Sequence, residues 1–257
     1  MIFNTKLYTE ETLDKQNVIF LCVEKAFIAR QEAGYTVASR DSEEDTEDAC
    51  LLREIKGTLP RSLEEIRVLR KLKGIGGAPR LLSVCKRPPA FLMEHCCGRT
   101  LEDLRCDDTV SGKTLMEVAL LVTRQVARLH ARGFAHNDVK TDNCVADVSA
   151  TPFTVRLIDF GNSTRLGESP CYDVDPEGMH LAPELCRSGV ATSATDVFSL
   201  GTLLKDLMEM RPDDAFPKML PRLARSACKE DPKRRPSMAL FTEALEAVVA
   251  KMGGSLS

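Results

Sequence analysis

The sequence lacks the features of a nucleic-acid binder, a membrane span or a zinc module. It has no block of lysine and arginine and no stripe of basic and aromatic residues, so the electrostatic footprint that a phosphate backbone demands is missing. No apolar run approaches the ~20 residues needed to cross a bilayer. Met-Ile-Phe-Asn-Thr-Lys at the N-terminus is not followed by an uninterrupted apolar core and a small-residue cleavage site. Among the ten cysteines only Cys96 and Cys97 are adjacent and no Cys-x-x-Cys pair occurs. That pattern disfavours zinc and a disulfide scaffold and suits free thiols in a reducing compartment. Together these absences predict a cytoplasmic or nuclear protein with no nucleic-acid and no membrane partner.

What is present is an ordinary globular composition. The 257 residues are 43% hydrophobic with a formal net charge of −3, enough for one large or two small units around a substantial core. The charge balance leaves acidic peptides open as substrates. Chemistry concentrates between His136 and Gly161, where the chain reads His-Asn-Asp-Val-Lys-Thr-Asp-Asn-Cys and then Leu-Ile-Asp-Phe-Gly. Asp138, Lys140, Asn143 and Asp159 place two acids, a cation and an amide on two nearby loops. That is the set needed to hold magnesium, a nucleotide and an attacking hydroxyl, which is phosphoryl-transfer chemistry. Any one of these groups alone could simply cap a turn; four at this spacing fit that reading poorly.

The stretch resembles the catalytic and magnesium loops of the eukaryotic-type protein kinases. His-x-Asp-x-Lys-x-x-Asn precedes Asp-Phe-Gly by about the length of one β-hairpin. Ala182-Pro183-Glu184, Asp196-Val-Phe-Ser-Leu-Gly201 and Arg235 follow in the family's order. The resemblance implies an α+β, two-lobed protein-kinase-like fold forming a single domain over residues 1–257. A small antiparallel β-sheet N-lobe with one helix would span about 1–94, a connector about 94–98, and a larger, mainly helical C-lobe about 99–257. It also implies ATP and Mg2+ as cofactors and a protein substrate. In this reading Asp138 orients the substrate hydroxyl and accepts its proton, Lys140 neutralises the γ-phosphoryl group, and Asn143 and Asp159 hold magnesium. A lysine two residues after the aspartate goes with serine or threonine acceptors.

Upstream, residues 18–28 and 35–39 are rich in strand formers and are separated by a polar segment ending in Gly34. The resemblance puts a three-glycine phosphate flap between them, where this chain offers one glycine. The run Asp-Ser-Glu-Glu-Asp-Thr-Glu-Asp (41–48) repels itself too strongly to pack and reads as a solvated loop. Cys50 to Lys56 resembles the strand whose lysine grips the nucleotide phosphates. Aligned on apolar positions, Arg53 takes that place; Lys56 competes, but would put Glu54 against the adenine, where a carboxylate would be desolvated without a partner. Arginine is longer, planar and forked, so the exchange is not conservative.

Ser62 to Lys73 has helical periodicity, with Leu63, Ile66, Leu69 and Leu72 on one side and Gly74 as its stop. The resemblance makes Glu65 the partner of the phosphate-gripping cation; Ser62-x-x-Glu65 is also a capping box. The resemblance further stacks Leu69, Val84, His136 and Phe160 between the lobes. A strand, a Pro88-Pro89 turn and a second strand then lead to the connector, where the Glu94 carbonyl and Cys96 amide would bond the adenine and Met93 would guard the pocket behind. Val145 joins Arg53, Glu65, Glu94 and Cys96 in the nucleotide site that the resemblance implies.

Leu115, Val118, Ala119, Val122, Val126 and Leu129 predict a buried helix reaching His130. Residues 144–147 and 154–158 predict a hairpin that sets Asn143 beside Asp159. Residues 162–181 match the family's activation segment, with Ser163, Thr164, Ser169 and Tyr172 as candidate phosphosites. Two departures bear on it. Asn137 replaces the usual arginine, removing the cationic partner of an activation-segment phosphate. Glu177 stands where a threonine normally contacts the catalytic loop. Glu184 and Arg235 are expected to form a buried ion pair, and Asp196 to hold the catalytic-loop backbone. A last helix from Pro236 is expected to turn Leu240, Ala244, Leu245 and Val248 inward. Two other readings compete with a serine/threonine kinase: a pseudokinase that binds or scaffolds without turnover, and a small-molecule phosphotransferase.

Overall fold

The computed structural model describes residues 18–22, 60–86, 89–170, 180–211, 214 and 216–253. Arg53, Lys56, the acidic run, Gly34, Tyr172 and Glu177 lie outside the described residues.

Strands β1 (Val18–Cys22), β2 (Leu81–Lys86) and β3 (Pro89–Glu94) form an antiparallel sheet in the order β1-β3-β2. Pro89 does not sit in the turn, as expected, but opens β3 opposite Lys86. The first residue of a strand is where a missing N–H costs the ladder least. Helix α1 (Pro60–Leu72) packs beside this sheet, and Leu63, Ile66, Leu69 and Leu72 are all buried, as their spacing predicts. It starts two residues before Ser62, so Ser62 lies within the helix and not at its N-cap. Gly74, in the left-handed region at φ 88°, stops the helix. The following turn (Ile75–Gly77) packs on the C-lobe, where a Cβ on Gly76 would lie 2.2 Å from Leu129 Cδ2. Only glycine permits that approach.

The remaining described elements are mainly helical. After β4 (Arg99–Thr100) and the capped helix α2 (Leu101–Arg105) comes α3 (Gly112–Ala131), whose Ser111 side chain accepts the Thr114 N–H. All six apolar positions predicted for α3 are fully buried. Short strand β5 (Phe134–Ala135) pairs with β8 (Thr164–Arg165), bracketing the loops that carry the predicted chemistry. Between them β6 (Cys144–Asp147) and β7 (Thr154–Leu157) form the expected hairpin, in register Cys144 to Leu157. Helices α4 (Pro183–Cys186), α5 (Ser193–Glu209), α6 (Met219–Ala227) and α7 (Met238–Gly253) complete the described chain. On α7 the expected inward face is corrected. Leu245 and Val248 are buried as expected and Ala244 is half-buried, but Leu240 is 59% exposed and Phe241 is buried in its place, because Phe241, Leu245 and Val248 follow the i, i+4, i+7 stripe while Leu240 falls beside it. No helix among the described residues is long and apolar enough to cross a membrane.

The small sheet with its helix and the larger helical part are thus the two lobes expected of an α+β kinase-like fold. They are joined by a packed column. Leu69 and Phe160 are fully buried, Val84 packs against the same core, and the His136 and Phe160 rings lie 4.7 Å apart at 54°. Burying one such phenylalanine stabilises the arrangement by roughly 1.5–3 kcal/mol.

Candidate active site

The loop after β5 is held by a buried carboxylate. Asp196, in the first turn of α5, accepts the His136 N–H at 2.9 Å, the Asn137 N–H at 2.8 Å and His130 Nε2 at 2.8 Å. Burial works against its charge, but the bond from His130 and the nearby imidazoles keep its pKa below the ordinary aspartate value. Asn137 takes a left-handed conformation, φ 61°, that asparagine tolerates better than most residues. Its Nδ2 donates to the Asn162 carbonyl at 3.0 Å, and its Oδ1 accepts from Thr195 Oγ1 at 3.3 Å. Where the resemblance has an arginine reaching outward, this side chain is spent on the loop's own interior.

Asp138 sits at the centre. Asn143 Nδ2 donates both to its Oδ2 at 3.1 Å and to its carbonyl at 2.9 Å; His180 Nε2 lies 2.7 Å from Oδ1, and Lys140 Nζ 3.8 Å from the same oxygen. Burial opposes ionisation here too. The His180 bond and the Lys140 charge outweigh it, so the carboxyl is held below its usual range and is ionised at neutral pH.

Asn143 and Asp159 are tied together by the backbone. The Ile158 N–H donates to the Asn143 carbonyl at 3.0 Å, one residue before Asp159 leaves β7 in a left-handed conformation at φ 63°, ψ 73°. That turn buries Phe160 and leaves Asp159 exposed. With the Asn143 amide nitrogen committed to Asp138, the donors left for a cation are an amide oxygen and a carboxylate. Both are hard oxygens of the kind magnesium takes alongside phosphate and water. No group of three or more His, Cys, Asp or Glu able to hold a metal occurs among the described residues. A cation here would therefore need ligands from a nucleotide and solvent.

Glu65 comes down from α1 onto the same loop, its Oε1 accepting the Phe160 N–H at 3.3 Å. It does not fold back to cap its own helix. Burial, and then the charge of Asp159, push its carboxyl up to about 8. A raised acid pKa means that the folded state holds a proton which the unfolded chain has lost. The associated stability is therefore full below the ordinary value of 4.5 and is lost as pH rises through about 8. Glu65→Gln is expected to flatten this slope in thermal melts taken across that window; an unchanged slope would contradict the assignment.

The connector runs past an apolar floor. Cys96, Val145 and Ile158 form their own buried cluster between the connector and the Asp159 turn. Burial raises the Cys96 thiol to about 11, so it is a neutral, apolar surface. The Glu94 carboxylate turns back into the fold, accepting Arg156 Nη2 at 2.9 Å and the Arg80 N–H at 3.2 Å, and Met93 is buried behind it. Below Asp138 opens a cavity of about 760 Å³ lined by Lys140, Thr141, His180, Phe198, Lys205 and Asp206, among others.

Two expected phosphosites are corrected. Ser163 and Thr164 are buried, Ser163 Oγ donating to the His136 carbonyl at 3.2 Å, whereas Ser169 is exposed. Sequence reasoning missed two residues that the fold brings in. Ile158 was legible as a strand residue but not as a partner of Cys96 and Val145 in their buried cluster. His180 was not legible at all, since its contact with Asp138 crosses 42 positions.

The Glu184–Arg235 pair forms as expected, and Arg235 uses all five of its donors. Nη1 and Nη2 bind Glu184 Oε1 and Oε2 at 2.6 and 2.7 Å, and the remaining N–H groups reach the Ala194, Glu230 and Lys229 carbonyls.

Comparison with known proteins follows the same outline. The protein kinase domain model matches residues 28–213, well over half of the chain. Guanylate cyclase D of Mus musculus is 34% identical over 161 residues, 60% of this chain and 14% of that protein. The serine/threonine-protein kinase pakE of Dictyostelium discoideum is 31% identical over 128 residues, 48% of this chain and 13% of the relative. Mitogen-activated protein kinase kinase kinase 13-B of Xenopus laevis is 30% identical over 161 residues, 60% and 16% respectively. The chain thus matches only a small part of each of these longer relatives.

Proposed function

Since this chain belongs to the protein kinase family, we propose that it transfers the γ-phosphoryl group of ATP to serine or threonine hydroxyls of a protein substrate. The observation that carries the reading is the ionised Asp138 carboxylate, held from both sides by Asn143 and His180 and next to Lys140, the latter two lining the neighbouring cavity. A substrate hydroxyl entering there meets an acceptor for its proton. Its oxygen forms the new bond to phosphorus as the bond to the ADP oxygen breaks, and Asp138 takes the proton late in the step. Because the transition state is loose, position counts for more than basicity. Lys140 faces the γ-phosphoryl charge. Asn143 and Asp159 would hold magnesium, which when bound neutralises the phosphate oxygens. The apolar floor of Cys96, Val145 and Ile158 suits the adenine, with the Glu94 carbonyl and Cys96 amide as its backbone partners. By the resemblance, Arg53 would grip the phosphates.

A pseudokinase is the second reading. It is favoured by the single Gly34 in the flap, by Arg53 in place of lysine, and by the similarity of this stretch to part of a protein named for cyclase chemistry. One assay separates the two. The purified chain is incubated with labelled ATP, Mg2+ and a mixed protein acceptor. Transfer of label, lost in Asp138→Ala, supports the kinase; no transfer and no thermal shift with MgATP would defeat it.

Asn137 adds a prediction. Its side chain is committed to Asn162 and Thr195, so it offers no charge to an activation-segment phosphate. Phosphatase treatment of active protein is expected to leave kcat within about twofold, against the large loss seen where an arginine-bound phosphate orders the segment. A large loss of kcat on dephosphorylation would refute this.

A further inference from the structure

We infer that His180 is a positioning residue for the transfer reaction, taking over from position 177 the job of tying the activation segment to Asp138. The inference rests on the kinase reading above. The resemblance places a threonine contact at residue 177, where this chain carries Glu177. Three residues later His180 makes a contact of that kind directly, Nε2 to Asp138 Oδ1 at 2.7 Å.

His180 is anchored on both flanks. Ser199 Oγ, on α5, donates to its carbonyl at 2.6 Å. Two residues on, Ala182-Pro183-Glu184 begins α4, and Glu184 is clamped by Arg235. The imidazole is therefore delivered from the rigid helical lobe and not from a free loop. On the other side of the carboxylate, Asn143 Nδ2 holds Oδ2 at 3.1 Å. One donor on each oxygen fixes rotation about the bond between Cβ and the carboxyl carbon. An ionised carboxylate has about four lone-pair sites, so these bonds still leave room for a substrate hydroxyl.

Lys140 cannot replace this restraint. Its Nζ lies 3.8 Å from Oδ1, a charge contact and not a directed hydrogen bond, on a flexible stem. Among the described residues, Asp206 lines the same cavity as the imidazole. The His180 side chain is only partly buried, so its removal costs little packing while freeing the carboxylate to turn. A misplacement of about 1 Å at a reacting group can cost on the order of a hundredfold in rate.

The test measures steady-state transfer to a generic protein acceptor by the wild-type chain, His180→Ala and His180→Gln. His180→Ala is expected to lose roughly ten- to a hundredfold in kcat with KM for ATP unchanged. Gln, whose Nε2 can donate to the same oxygen, is expected to restore much of it, and added imidazole, entering through the open cavity, to rescue the Ala variant. A merely structural histidine would give neither rescue. If wild type transfers phosphate and His180→Ala keeps its full kcat, or loses it without rescue by Gln or imidazole, this inference falls alone. If wild type transfers nothing, the kinase reading falls and takes the inference with it.

Discussion

Asp138→Ala is expected to lower kcat by roughly 10²- to 10⁴-fold, the span attributed to a positioned proton acceptor. Substrate affinity should change far less, because Asp138 meets the hydroxyl and not the nucleotide. Alanine is the better test than asparagine. Both carboxylate oxygens already receive donors, from Asn143 and His180, so an amide would set its own NH2 against one of them and disturb the loop for an unrelated reason. The control is the thermal shift with MgATP, which should survive in the alanine variant. Retention of more than about a tenth of wild-type kcat would show that another group accepts the proton and would undo the assignment.

Arg235→Ala is expected to cause the largest loss of stability, about 3–5 kcal/mol, the usual consequence of removing one partner of a buried pair. The loss has several sources. Glu184 is left without its bidentate partner, three backbone carbonyls lose their donor, and the guanidinium leaves the face of Phe198, where it stacks at 4.9 Å. For a chain of this size each 1 kcal/mol lowers Tm by about 2–4 °C, so a fall of roughly 6–20 °C is expected by calorimetry. Arg235→Lys should recover only part of it, since an ammonium cannot reproduce a planar fork that reaches five acceptors. A melt within about 2 °C of wild type would mean the pair is worth no more than a surface ion pair. Glu184 is also the second residue of α4, three residues after Leu181 and four after His180, so the same variant should weaken the anchoring of His180.

Legibility followed the range of the interactions. The helices α1 and α3 could be read because a buried stripe leaves a 3.6-residue imprint, and the hairpin of β6 and β7 because its turn is local. The four polar groups between His136 and Gly161 could be read because they sit within one short stretch. Leu240 was misplaced where two neighbouring apolar residues competed for one face, and only tertiary packing into the main core chose Phe241. Ser163 and Thr164 looked as available as Ser169, and it took the β5–β8 pairing and the His136 carbonyl to bury them. Asn137 stood out in sequence only as a missing arginine. Its actual bonds, to Asn162 and Thr195, run 25 and 58 positions along the chain.

The sequence by itself determined the family, the lobed α+β plan and the short stretch that holds the polar groups proposed for phosphoryl transfer, because residue types and short spacings encode these directly. Tertiary structure alone decided which oxygen of Asp138 faces which donor, that Glu65 turns to the Phe160 amide and shares a field with Asp159, and that His180 reaches the centre from 42 positions away. The physical reason is that hydrogen bonds and charge–charge interactions act over a few ångströms of space. Only the folded backbone brings residues so far apart in the chain within that distance.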